Sequence, residues 1–256
     1  MKLGLDQFAH VDSPLHRWAP TLKLVGLGAL IFAFSSVQIL VLLPAMGIAT
    51  GILFKLSNLP MGFWWQRLRL PGLFLLGLVV ALPFLTGESV IVQWGILRLT
   101  WEGLLAVALI AGRFVCILTL GLILFGTAPF LETIAALRRL GLPPILADMI
   151  LLSYRYIYEV GDYFQTMKKS VRLRGFRGDR PNIATLRTLS SLAGSLIIRS
   201  YEQAEQVYKA MVMRGYGQPQ RTAKRDRLRP QDWWLLGTTV GVAIALVVAQ
   251  IWIGGR

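Results

Sequence analysis

No charged residue occurs between Lys23 and Lys55, and that gap restricts the fold more than any other feature of the chain. Backbone placed in hydrocarbon must satisfy its own hydrogen bonds, so such a run has to be helical. It gives ~46 Å of helix against a hydrocarbon core of ~30 Å. That is too long for one upright span and too short for two generous ones. Two shallow helices are expected, with a turn near Ser35-Ser36-Val37-Gln38. Further uncharged runs follow Arg69 as far as Glu88, lie between Glu102 and Glu132 with only Arg113 inside, and extend from Trp233 to Gly255. The chain therefore reads as an all-α polytopic membrane protein with about five transmembrane helices. A composition of 55% hydrophobic and 16% charged residues agrees.

The net charge of +14 is unevenly placed: two thirds of the 27 lysines and arginines lie in residues 127–232. The connection at 87–102 carries Glu88, Arg98 and Glu102 and is slightly acidic. The positive-inside rule puts 127–232, the Lys55–Arg69 loop and the amino terminus in the cytoplasm, and the carboxyl terminus outside. Three segments follow: 1–126 with the first spans, 127–232 as a cytoplasmic helical region, and 233–256 as the last span. All eight tryptophans, from Trp18 to Trp252, fall near expected span ends, where indole favours the headgroup interface. Met1–Pro20 is expected on the membrane surface, and Leu59–Leu70, with Phe63, Trp64, Trp65, Arg67 and Arg69, as an interfacial elbow. Pro44 and Pro83 are candidate kinks. Gly47–Gly51 and Gly237–Gly241 are small-xxx-small patterns that permit close helix approach.

The cytoplasmic region contains three helices. The first covers about Pro129–Leu140, with Phe130, Ile134 and Leu137 on one face. The second runs from about Pro144 to Leu173, apolar at its start and basic at its end. The third runs from about Ile183 to Arg214. Both long helices close on arginine followed by glycine: Leu173-Arg174-Gly175 and Met213-Arg214-Gly215. Glycine can take the left-handed conformation that ends a helix, and a cation there suits the dipole, so either tripeptide alone is ordinary. As a pair on helices of matched length they suggest docking points, because guanidinium grips carboxylates or carbonyls with fixed geometry. Ser191, Gly194 and Ser195 form a small-residue patch where another helix could cross closely, and the two long helices look like a crossed pair, with this patch as the expected coupling-helix crossing.

Other candidates are weaker. The basic stretches Lys168–Arg180 and Arg221–Arg229 suit anionic lipid or a topology signal, and no nucleic-acid-binding fold accompanies them. Arg113, inside a span, needs a partner, a cavity or an interface. Arg155 is expected to pair with Glu159 one turn on. His10 and His16, the only histidines, lack the companions of a metal site. Cys116 is the single cysteine, so no disulfide forms within the chain. Neither a phosphate-binding loop nor a nucleophile–base set is present, so neither a cofactor nor catalysis is expected.

At these residues the chain resembles the transmembrane T component of energy-coupling factor (ECF) transporters, in its cobalt-type CbiQ branch. The resemblance rests on Phe8–Arg17 followed by Pro20 and Lys23, on Ala136–Pro144 followed by Tyr154-Arg155-Tyr156, and on Arg199–Glu205 leading to Met213–Tyr216. The family has two short Ala-Arg-Gly-like motifs, matched here by Leu173-Arg174-Gly175 and Met213-Arg214-Gly215, each with a larger leading residue. The resemblance implies two ATPase subunits, each receiving one helix end, and a separate substrate-binding membrane subunit of S or CbiM-like type, with a small CbiN-like subunit as a further partner. It implies residence in a prokaryotic plasma membrane and uptake of cobalt, with nickel or a vitamin as alternatives. The competing readings are an intramembrane enzyme and a scaffold for anionic lipid.

Overall fold

The computed structural model describes residues 13, 15–16, 18–85, 90–94, 97–176, 182–217 and 230–254. In chain order the helices are α1 (Pro20–Ser36), α2 (Leu43–Ser57), α3 (Met61–Leu85), α4 (Trp101–Gly126), α5 (Phe130–Arg139), α6 (Pro144–Leu173), α7 (Ile183–Met213) and α8 (Pro230–Gly254). A 3-10 turn, Leu40–Leu42, precedes α2. Two short antiparallel strands, β1 (Val90–Trp94) and β2 (Leu97–Thr100), join α3 to α4, with Trp94 opposite Leu97. The β-branched run Val90-Ile91-Val92 favours extended backbone, so this hairpin is an addition to an otherwise helical fold. The expected cytoplasmic helices and both arginine-glycine ends fall within one residue of α5, α6 and α7.

The described residues divide into two compact units. One, within Leu5–Gly141 and Asp226–Arg256, holds α1 to α5 and α8. The other, within Leu142–Arg225, holds α6 and α7.

In the first unit, residues 40–57, 103–126 and 230–253 are long and apolar enough to cross a membrane, and Pro20–Ser36 is a shorter apolar helix. The 25-residue α3 adds an uncharged run after Arg69. The Lys23–Lys55 run does break in two, at residues 37–39. At 17 and 15 residues α1 and α2 are short helices, and the 3-10 turn before α2 brings that segment to 18 residues, near the lower limit for a crossing. Polar backbone at the break is satisfied from within the protein. Arg113 Nη1 donates to Ser35 O at 3.2 Å and Val37 O at 3.3 Å, and Val37 ends α1. Gln38 N–H donates to Gln250 Oε1 of α8 at 3.2 Å. Arg113 therefore acts as a cap on the α1 carboxyl end, where a cation complements the dipole. At the opposite end of α1, Lys23 Nζ donates to Thr127 O, just past α4, at 3.2 Å. Thus α1 lies antiparallel along the second half of α4.

Leu27, Leu30 and Phe34 on α1 meet Met46 of α2, Leu120 and Ile123 of α4 and Leu246 of α8 in one buried cluster. Their spacing on α1 is that of one helix face. The described residues just before α1 are buried rather than lying on the surface expected for them. Trp18 is only 2% exposed, and Leu15 and Ser13 are buried as well. The indole lies against Gly26, where a Cβ would stand 3.1 Å from Trp18 Cη2 and 2.7 Å from Thr239 Oγ1. Gly112 makes the corresponding close approach to Leu43. The small-xxx-small glycines do not: a Cβ on Gly47, Gly51, Gly237 or Gly241 would meet nothing within 4 Å. Pro44 begins α2 and does not kink it, since proline suits a first turn. The expected elbow is continuous with α3; the turn falls earlier, at Asn58, which adopts φ 52°.

Candidate functional site

The polar unit is a helix pair. Glu159 and Tyr163 of α6 meet Gln203 and Arg199 of α7, and Asp148 near the start of α6 meets Tyr216 just past the end of α7. The helices are therefore antiparallel, and their carboxyl ends lie at opposite ends of the pair. Arg214 is level with the first turns of α6, while Arg174 closes the far end, so the two arginines are separated by ~39 Å along the pair.

Both ends are built alike. Arg174 (φ −84°, ψ 14°) and Arg214 (φ −91°, ψ 11°) occupy the C-cap positions. Gly175 (φ 89°) and Gly215 (φ 81°) follow in the left-handed region. Phe176 N–H then donates to Val171 O at 3.2 Å and Gly175 N–H to Arg172 O at 3.0 Å. At the other tip, Tyr216 N–H donates to Met211 O at 3.0 Å and Gly215 N–H to Val212 O at 2.9 Å. These are two Schellman closures, which need a residue free to take positive φ. The side chains before the arginines stand clear, with Leu173 90% and Met213 82% exposed. Each tip thus displays an apolar side chain beside a guanidinium.

The tips differ in one respect. Tyr216 Oη donates to Asp148 Oδ2 at 3.4 Å, tying the Arg214 end back to α6. Partial burial and the Asp148 carboxylate push the Tyr216 phenol upward from its usual value. Phe176, at the equivalent position, has no hydroxyl. Between the tips, Ile145, Met149, Tyr156, Val207, Met211 and Tyr216 line an apolar groove of about 440 Å³.

The expected pairing of Arg155 with Glu159 is replaced. Glu159 turns to α7 and accepts from Gln203 Nε2 at 2.7 Å, while Arg155 lies 5.8 Å from the Tyr156 ring centre. Ser191 and Ser195 are exposed, and a Cβ on Gly194 would meet nothing within 4 Å. The side-chain contacts from α7 to α6 come from Arg199 and Gln203, further along the helix. Gln203 and Tyr163 were not singled out by the sequence, although their spacing from Arg199 and Glu159 puts each pair on one helix face. His16 is engaged locally, its Nδ1 sharing a 2.6 Å hydrogen bond with Ser13 Oγ. Among the described residues no group of three or more His, Cys, Asp or Glu side chains gathers as a metal site would require. His10, Phe8–Asp12, Arg177, Arg180 and Arg221–Arg229 lie outside the described residues.

Apolar helices of membrane-crossing length in one unit, and an arginine-tipped helix pair in the other, define a polytopic membrane protein with a polar helical unit. The chain belongs to the cobalt transport protein family CbiQ, whose profile matches residues 12–224. It is similar to proteins named energy-coupling factor transporter transmembrane protein EcfT. The one from Limosilactobacillus fermentum is 28% identical, over 97% of this chain and 96% of its own length. The Lacticaseibacillus paracasei protein is 29% identical over 92% and 94%, and that of Heliobacterium modesticaldum 26% identical over 98% and 97%.

Proposed function

We propose that this chain is the energy-coupling membrane subunit of an ECF-type transporter and is not itself an enzyme. Two ATPase subunits dock on the tips, one on Leu173-Arg174-Gly175 and one on Met213-Arg214-Gly215. Their ATP-driven movement passes through α6 and α7 to a substrate-binding membrane subunit, which carries the cargo across. Ser191, Gly194 and Ser195, expected at the crossing of the coupling helices, offer small side chains on which another helix could pack closely against α7. Cobalt is the favoured cargo, by the family's own description, with nickel or a vitamin as alternatives. Residues 127–232 face the cytoplasm by the positive-inside rule.

The observation that carries this reading is the pair of like-built tips on opposite ends of one helix pair. Each offers a guanidinium in a fixed backbone setting, next to an apolar side chain with no cover of its own. A folded end that displays leucine or methionine to water is suited to a pocket on another protein. Guanidinium supplies bidentate, directional bonding that lysine does not.

The test is purification of the complex from native membranes in mild detergent. The parent chain is expected to bring down an ATPase pair, and the Arg174→Ala/Arg214→Ala variant to lose it and to abolish uptake of radiolabelled cobalt. Full association and uptake by the double variant at normal expression would overturn the docking role. Uptake of labelled nickel but not cobalt would move the cargo while keeping the mechanism.

A further inference from the structure

The contact between α6 and α7 is a four-cornered clasp. Glu159 and Tyr163 stand one turn apart on α6, and Arg199 and Gln203 one turn apart on α7. Because the helices are antiparallel, the corners pair crosswise. Gln203 Nε2 donates to Glu159 Oε1 at 2.7 Å. The Arg199 guanidinium carbon lies 3.9 Å from the Tyr163 ring centre. Tyr163 Oη closes the figure by donating to Glu159 Oε1 at 3.4 Å. The first contact is a charge-assisted hydrogen bond and the second a close cation–π stack, both of them directional.

The clasp is centred. The midpoints of its two sides are Gly161 on α6 and Tyr201 on α7, and each tip arginine lies about 13 residues beyond its midpoint, or ~20 Å. The two tip-bearing arms are equal in length and point away from each other. A rotation of ~10° at the clasp would swing each tip sideways by ~3.5 Å on such an arm while changing their separation by only about 1 Å. Side chains at the centre therefore govern the direction in which the tips face, although they do not touch them.

We propose that Glu159, Tyr163, Arg199 and Gln203 are positioning residues that set the angle between α6 and α7, and so the direction in which the two tips are presented. The assignment rests on the coupling role proposed above for its meaning, but its geometry is measurable without it.

The experiment places spin labels on Lys169→Cys of α6 and Ala193→Cys of α7, exposed positions that the register puts level with each other on one side of the clasp, where their separation follows the angle, in a Cys116→Ser background. The full chain is studied in lipid nanodiscs with its co-purified partners and again alone. The parent is expected to give one narrow distance distribution. The Tyr163→Leu/Gln203→Leu variant, which keeps side-chain bulk but loses both rungs, is expected to broaden it by several ångströms. The exchange Glu159→Gln/Gln203→Glu, which keeps an amide–carboxylate pair with its direction reversed, is expected to stay narrow. Such a result also shows that change at these positions does not simply unfold the pair. An unbroadened distribution in the leucine variant, or equal broadening in the exchange variant, would overturn the assignment. Failure of any ATPase to accompany the parent chain would sink the coupling role and leave the distance result standing.

Discussion

Replacement of Gly26 by alanine measures how tightly α1 packs on Trp18 and on α8. A Cβ there would lie 2.7 Å from Thr239 Oγ1 and 3.1 Å from Trp18 Cη2. The first distance is a clash and the second a compression, against an indole with no room to retreat. Overfilling a packed site costs about 1–3 kcal/mol. Alanine also favours helix over glycine by about 1 kcal/mol, which would mask part of that cost. Gly28, two residues on, supplies the correction: it lies in the same helix, and a Cβ there meets nothing within 4 Å. The difference between the two substitutions removes the helix-propensity contribution and leaves a deficit of about 1–3 kcal/mol for Gly26→Ala. Adding Thr239→Ala relieves the clash. Among the described residues the Thr239 hydroxyl bonds Leu235 O and Leu236 O of its own helix, carbonyls that already serve the helix ladder, so its loss strands neither. The assay is unfolding in mixed micelles followed by circular dichroism. Equal midpoints for Gly26→Ala and Gly28→Ala, or a deficit untouched by Thr239→Ala, would refute the packing argument.

Two further substitutions probe the tips and the wall of the first unit. Gly175→Ala and Gly215→Ala each force a Cβ into the left-handed region at a cost of about 1–2 kcal/mol. Faster hydrogen exchange is expected at the Phe176 and Tyr216 amides, which close the two tips, and unchanged exchange would count against the closures as described. Trp64→Phe removes the 2.9 Å bond from the indole N–H to Thr119 Oγ1. A loss of about 0.5–1.5 kcal/mol in the same unfolding assay is expected; no loss would mean that the bond has no net worth.

Features that depend on local chemistry were legible in the sequence. The break in the Lys23–Lys55 run, the extents of α5, α6 and α7 and both glycine closures follow from charge spacing, proline and glycine, and each lies where those residues put it. Features that depend on which helix lies beside which were not. The small-xxx-small spacing pointed to Gly47 and Gly237, yet the close approaches fall at Gly26 and Gly112, decided by the Trp18, Thr239 and Leu43 side chains opposite them. Trp18 read as an interfacial anchor because its residue type favours the headgroup region, but its side chain and that of Leu15 are buried in the core. Glu159 has a cation four residues before it and still bonds across to Gln203. A helical neighbour on the same surface is always in reach, and only the packed pair shows that a better-aimed donor exists.

Tips held at equal distances from their crossing share one gearing. About 13 residues separate each tip from the fulcrum, against about 17 on the far side of α6 and about 18 on that of α7. A displacement imposed at either tip therefore returns at the other end of the same helix enlarged by about a third, with force reduced to match. The gain is nearly the same for both helices, so neither tip has a mechanical advantage over the other.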